Sequence, residues 1–418
     1  MRDREISGNH TPSVAIAGCG AICSVGKNTS ELLVALKNNT SGLRASERFS
    51  HPRFQSNIVG AAPIDSSTDN PAHALASSAL HEAIVGQTSR LSSRASSSPA
   101  PLDRRDACPT TESDAAINNQ IPAERIGLVL STTKANIEAL ERVSDGRPCS
   151  AVARRHLQAD LLAADLAAEC GARGPVQNIS NACVSGLVAL MQGAKIIQRG
   201  DADAVFVVGV DHLSAFVVGG FTALKAIDPE GCRPFDQNRR GLTPGEAGAA
   251  IVLVRSDLAS PSAITLSGWG SSNDANHMTG PSRDGSGLAQ AIRAALTSAS
   301  LQPAQIDYVN VHGTGTPYND AMETAALRTV FGETIPPLSG LKGMLGHTLG
   351  AAGVIETVAC VLAMQGIFLP GTPRLNNLAE GFPPSALREP RSTARLKHIL
   401  KLNTGFGGIN GAVILTQS

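Results

Sequence analysis

Short runs that are apolar at nearly every position alternate along this chain with longer runs whose apolar residues recur at helical spacing. "SVAIAGCGAI" (13–22), "ERIGLVLSTT" (124–133), "VQNIS" (176–180), "DAVFVVGVD" (203–211), "SAITLSGWG", "IDYVNVHG" and "GAVILTQ" predict strands. Between them, "TSELLVALKNN" predicts a helix with Thr29 or Ser30 near its N-cap, and "ALASSALHEAI" a second. A third spans about 183 to 199, where Leu187, Leu190, Met191, Ala194 and Ile197 fall on one face and Gly200 can end the helix. "GLAQAIRAALTSA", "DAMETAALRTVFG" and "GAAGVIETVACVLAMQ" continue the series. Strands apolar on both faces belong to a sheet covered by helices, so the pattern predicts an α/β protein with largely parallel pairing.

Both parts of the chain open on a strand with a glycine signal and then alternate strand and helix. This suggests two related halves, although no clear sequence repeat accompanies it. The pattern lapses over about 87–122, where "GQTSRLSSRASSSPAPLDRRDACPTTESDAAINNQ" is rich in Ser, Pro, Ala and charge and reads as an exposed loop.

Length and composition narrow the function classes. At 418 residues and 42% hydrophobic content the chain can bury a large core. Lysine plus arginine equals aspartate plus glutamate, 35 each, which gives no electrostatic case for nucleic acid or a lipid surface. No run of about eighteen apolar residues predicts a membrane span, and "MRDREISGNHTP" lacks the apolar core of a secretory signal. Eight cysteines without a CxxC pair indicate neither zinc nor a disulfide framework, so a reducing cytoplasm is expected.

One cysteine stands out. Cys183 sits where the strand "VQNIS" gives way to a helix, and unpaired N–H groups at a helix start favour a thiolate. Ser185 and Gly186 keep the first turn small. Taken alone, such a cysteine is more often structural and buried. His312, in "VNVHGTGTPYND", and His347, in "GLKGMLGHTLGAAG", lie in glycine-rich turns at strand–helix transitions, where α/β proteins place their sites. Cys183, His312 and His347 as a metal set match no local ligand spacing.

"NACVSG", "HGTGTPYND" with Glu323, and "LKGMLGHTLGAAG" resemble the three signature regions of β-ketoacyl-acyl-carrier-protein synthases. "CRPFDQNRRGLTPGEAG" (232–248) and "NTGFGGIN" (403–410) match as well, and the resemblance runs from about 13 to 416. It implies a thiolase-like fold, two similar halves in five layers α-β-α-β-α. Residues 13–260 would carry the nucleophile and 261–418 both histidines. It implies acyl transfer to Cys183, then decarboxylative Claisen condensation with malonyl-carrier thioester. His312 and His347 would bind the enolate, and the N–H groups of Cys183 and Phe406 the tetrahedral oxyanion. Lys342 would pair with Glu323, Asp320 would support that network, and Phe406 would act as a gate. A thiolase would need a second cysteine near the C-terminus, and none follows Cys360; the priming synthases carry asparagine where His347 stands.

The implied partners are an acyl carrier protein, docked through basic surface residues, and a second subunit. That subunit is either this same chain or a chain-length-factor-like homologue, with strands beside the nucleophile pairing across the boundary. No metal or organic cofactor is implied, because the carrier's phosphopantetheine arrives with the substrate. "STTKANIEAL" and "DHLSAFVVGGFTALKAID" are more similar to synthases of aryl polyene or flexirubin-type pigments than to those of primary fatty-acid elongation. Two rivals remain: a non-catalytic chain-length-factor-like partner, which would lack the nucleophile, and a cysteine hydrolase, which has no need of two histidines.

Overall fold

The computed structural model describes residues 13–65, 67–91 and 121–417. In chain order its strands are β1 (Val14–Cys23), β2 (Arg44–Ala45), β3 (Ile58–Val59), β4 (Ile126–Ser131), β5 (Val176–Ile179), β6 (Ala204–Asp211) and β7 (Ala247–Arg255). There follow β8 (Thr265–Asn273), β9 (Tyr308–Asn310), β10 (Leu338–Ser339), β11 (Phe368–Leu369), β12 (Arg391–Ser392), β13 (His398–Gly405) and β14 (Ile409–Thr416). Two small ladders, β2–β3 and β11–β12, stand apart from one large sheet of order β10-β9-β13-β14-β8-β1-β7-β6-β4-β5.

That order contains a repeat the residues do not display. From β1 outward the neighbours are β7, β6, β4 and β5; from β8 outward they are β14, β13, β9 and β10. Numbered within its own half, each set reads 1-5-4-2-3, and in each the first two pairings are antiparallel and the last two parallel. The halves meet at a narrow seam, Ala15 opposite Thr265.

Helices fill the layers around this pair of half-sheets. Pro71–Leu91 and Ala159–Glu169 cover the outer face of the first half, and Ser286–Ala299 and Pro317–Phe331 that of the second. Ser185–Gln198 and Ala352–Gly366 lie between the halves and share one core with both, which completes the thiolase-like α-β-α-β-α order. The two central helices approach backbone to backbone. A Cβ on Gly186 would lie 2.7 Å from the Val354 nitrogen and 2.8 Å from Gly353 Cα. Gly186→Ala is therefore expected to destabilise the protein by about 1–3 kcal/mol, read as a lower denaturation midpoint with an unchanged slope.

Several expectations change. The sheet is mixed, with the antiparallel pairs of each half next to the seam and the parallel pairs outside them. Burial on both faces follows from helix cover, which apolar patterning reports without fixing strand direction. The first helix, Thr29–Lys37, is capped by Asn28, whose side chain accepts from the Glu31 N–H, and not by Thr29 or Ser30. The helix Pro71–Leu91 runs into the segment read as loop from about 87, and positions 92–120 of that segment lie outside the described residues, as does the polar N-terminal stretch to residue 12. Contrary to expectation, the stretch Leu349–Gly366 is long and apolar enough for a membrane span. It is almost wholly buried between the half-sheets, which explains the composition equally well.

Candidate active site

Cys183 and His312 are held at the junction of a strand and a helix, and His347 lies in the turn between the short helix Lys342–Leu345 and the helix Ala352–Gly366. After β5 the chain turns sharply, with Ala182 at φ +47°, and Cys183 precedes the helix Ser185–Gln198. Ser185 closes the turn: its hydroxyl accepts from the Asn181 N–H at 2.7 Å and donates to the Ala182 carbonyl at 2.6 Å. His312 follows β9 and is clamped from the helix Pro317–Phe331. There Glu323 accepts the N–H groups of His312 (2.6 Å) and Gly313 (2.7 Å), and Asp320 accepts those of Gly315 (3.1 Å) and Phe235 (2.9 Å). His347 is fixed through its backbone by the "LTPGEAG" segment: its N–H donates to the Thr243 carbonyl, and its carbonyl accepts from the Gly245 N–H.

Both histidines thus come from the second half and meet the cysteine of the first. His347 Nε2 lies 3.0 Å from Cys183 Sγ, and the two imidazoles stand edge to face with centroids 5.2 Å apart. The three line a cavity of about 530 Å³ together with Phe221, Thr314 and Phe406. The Phe406 ring lies 6.1 Å from that of Phe221, which in turn neighbours His347 at 6.5 Å.

The hydrogen bonds assign the tautomers. His347 Nδ1 accepts from the Leu349 N–H at 3.2 Å, so in the neutral ring Nε2 carries the proton. His312 Nδ1 faces two donors, Lys342 Nζ at 3.1 Å and Asn403 Nδ2 at 2.8 Å, with the same consequence. Both rings present Nε2–H to the cavity. Both are also kept neutral: burial first, then Lys342, with a further contribution from Lys401, hold each well below the usual imidazole range. A metal ion on this trio, whose ligand atoms lie within 4.8 Å of one another, would require the opposite tautomers and a cation beside Lys342.

The thiol differs from expectation. Lys342 and the N–H groups of Phe406 and Cys183 favour its anion, but burial outweighs them and pushes Cys183 up to about 11. The helix start prepares the sulfur without ionising it at rest. Buried Glu323 is pushed up to about 7 and Asp320 to about 6, desolvation leading in both cases.

The expected Lys342–Glu323 pair is not formed. Glu323 is spent on the His312 turn, whereas Lys342 Nζ contacts Glu356 at 2.6 Å and the His312 carbonyl at 2.7 Å. Glu356 also pairs with Lys401 at 2.7 Å, and all three are buried. Glu356, Lys401 and Asn403 escaped the sequence reading. The available signal was a lone charge in an apolar segment: Glu356 in "GVIETVACVL", and Lys401 in "HILKLN". Asp211 was missed too. It accepts from Thr132, Thr133 and Lys134 of the "STTK" stretch and from the Gly350 N–H (2.7 Å) in the loop beyond His347.

A thiolase-like α/β fold whose cysteine faces two neutral imidazoles defines a condensing acyltransferase. Residues 11–259 match the family model "Beta-ketoacyl synthase, N-terminal domain" and residues 264–376 the corresponding C-terminal domain, so the chain belongs to the β-ketoacyl synthase family. It is 33% identical over 432 residues to a polyketide β-ketoacyl synthase of Streptomyces halstedii, covering 96% of this chain and 97% of that one. It is 36% identical over 262 residues to 3-oxoacyl-[acyl-carrier-protein] synthase 2 of Coxiella burnetii, covering 59% of this chain and 62% of the relative. Among solved structures, the ishigamide ketosynthase/chain length factor matches with TM-score 0.84 at 26% identity, over 98% of this chain and 100% of that one. A chain of the complex of the ketosynthase ApeO with its chain length factor ApeC from Xenorhabdus doucetiae matches with TM-score 0.81 at 26% identity, over 99% of this chain and 100% of that one.

Proposed function

We propose that this protein extends a carrier-bound acyl chain by two carbons through decarboxylative condensation, with Cys183 as nucleophile and His312 and His347 as enolate donors. The observation that carries this reading is the pair of Nε2–H groups converging beside Cys183. A hydrolase needs a base to activate water; two rings fixed as donors suit a developing oxyanion.

In the first half-reaction the Cys183 sulfur bonds to the acyl carbonyl carbon, the carrier sulfur leaves, and the thiol proton passes to it. In the second, the bond between the malonyl α-carbon and its carboxylate breaks and CO₂ departs. The electron pair becomes an enolate whose oxygen takes hydrogen bonds from His312 and His347. The α-carbon then bonds to the acyl carbonyl carbon. The resulting oxyanion is received by the N–H groups of Cys183 and Phe406; its collapse breaks the bond between the acyl carbon and the Cys183 sulfur, which leaves as thiolate and takes a proton from solvent. No resident cofactor takes part in this scheme; the phosphopantetheine arm belongs to the carrier protein. Phe406 and Phe221, packed at a tilt and lining the cavity beside His347, suit a gate between the acyl and malonyl sides.

His312→Ala is expected to slow malonyl-carrier decarboxylation by about 10²–10³-fold while Cys183 still takes up acyl groups, checked by CO₂ release and by intact-protein mass spectrometry. For the wider setting we favour a cytoplasmic enzyme of a specialised polyketide or polyene pathway, paired with a chain-length-factor-like homologue. In support, β5 ends the sheet with its outer edge unpaired among the described residues and Val176 exposed. Both structural relatives named above are ketosynthases with chain length factors. Elongation assays on saturated against aryl- or polyene-acyl carriers, with and without that homologue, test the pathway. Equal activity of this chain alone on saturated acyl carriers would return it to fatty-acid elongation as a homodimer.

A further inference from the structure

Behind His312 lies a feature that the condensation scheme does not use: a second buried lysine. We infer that Lys401 is a positioning residue for decarboxylation, supplying a net positive charge behind the imidazoles through a Lys342–Glu356–Lys401 bridge. This rests on the condensation reading and adds a residue to it.

The geometry is that of a shared carboxylate. Glu356 Oε1 holds Lys342 Nζ at 2.6 Å and Oε2 holds Lys401 Nζ at 2.7 Å. Lys342 carries the charge onward to His312 Nδ1, while Asn403, two residues along β13 from Lys401, contacts both His312 Nδ1 (2.8 Å) and Glu356 Oε2 (3.4 Å). Every member is at most 2% exposed. A lysine placed only to neutralise Glu356 would be redundant, because Lys342 already does so. Burying a second ammonium is costly and needs a return.

The groups around Lys401 show what charge results. Glu356 and Cys360 act on it from the helix Ala352–Gly366, Lys342 from the short helix before His347, and His312 from two residues beyond β9; Tyr308, at the start of β9, lies beside Glu356 and Cys360. Burial keeps Cys360 protonated, pushed up to about 12, and raises Tyr308 as well. His312 is neutral. Burial lowers the Lys401 pKa and the Glu356 carboxylate opposes that shift; with both lysines charged against one carboxylate, the bridge carries one positive unit. At rest that charge disfavours imidazolium, so both Nε2–H donors stay neutral. When CO₂ departs, the same charge stabilises the enolate held on those donors. Because the bridge is buried, the interaction is weakly screened.

Lys401→Met keeps the volume and leaves Glu356 paired with Lys342. Malonyl-carrier decarboxylation without acyl donor is expected to fall about tenfold, with Cys183 acylation changed by less than about twofold. The acid limb of the decarboxylation–pH profile is expected to move upward by about one unit, since removing a cation raises the imidazole pKa values. Lys401→Arg should retain the native limb. An unmoved limb with unchanged decarboxylation, or an equal loss of both half-reactions, would overturn the inference. If the methionine variant does not fold, Lys401→Gln is read in the same way. Absence of decarboxylation in the unaltered protein would instead overturn the condensation reading itself.

Discussion

Cys183→Ala is expected to lower condensation by about a thousandfold or more, with no acyl adduct on the protein, while malonyl decarboxylation persists. The reason lies in the division of labour at the site. The sulfur forms the acyl thioester, but the donors that receive the enolate are the Nε2–H groups of His312 and His347, held from the opposite side by Lys342, Asn403 and the Leu349 N–H. Removing the thiol leaves those bonds intact. Mass spectrometry of acyl adducts and parallel measurement of CO₂ release separate the two steps. Condensation retained in the alanine variant would sink the nucleophile assignment. Loss of both steps would show that the sulfur also serves decarboxylation. The native chain, trapped with its acyl group on Cys183, would in addition report the chain class.

The largest effect on stability is expected at Glu356. Replacing it with alanine leaves Lys342 and Lys401 buried without their shared anion, at a cost of roughly 3–5 kcal/mol. Denaturant titration should show a large drop in midpoint, and decarboxylation should fall with it as Lys342 loses its anchor beneath His312. Burial raises the carboxyl pKa, but the two lysines outweigh it and hold Glu356 below its usual range. That sign fixes the pH behaviour. Stability from this group is present above the unfolded carboxylate range and is lost as acid carries pH down through the depressed folded value. Combining Glu356→Gln with Lys401→Met removes one cation and the anion together and should recover part of the loss, a coupling that a double-mutant cycle measures.

The comparison of Glu323 with Glu356 shows how far residue patterns reach. Family-like motifs placed a glutamate after the first histidine and a lysine before the second, and pairing them was a natural reading. The structure gives Glu323 to the backbone of the His312 turn and Lys342 to Glu356, which lies in a segment that sequence patterning describes only as an apolar helix. Ion pairing depends on which buried groups face each other across layers, and periodicity within one element carries no such information. The thiol behaves likewise. A helix start argues locally for a thiolate, whereas the desolvation that holds Cys183 near 11 comes from the packing of both halves around it.

The sequence by itself determined that this is an α/β protein of alternating buried strands and helices, with Cys183 and His312 at strand–helix junctions and His347 in a glycine-rich turn, which the structure places between two helices. Those features are local: apolar runs, helical periods and glycine turns are written in consecutive residues. Tertiary structure alone decided that antiparallel pairs flank the seam between the halves, that the halves share one strand order, and that Glu356, Lys401, Asn403 and Asp211 belong to the site. Strand direction, cross-layer pairing and desolvation are set by what each residue meets from distant parts of the chain, and only the folded arrangement brings those parts together.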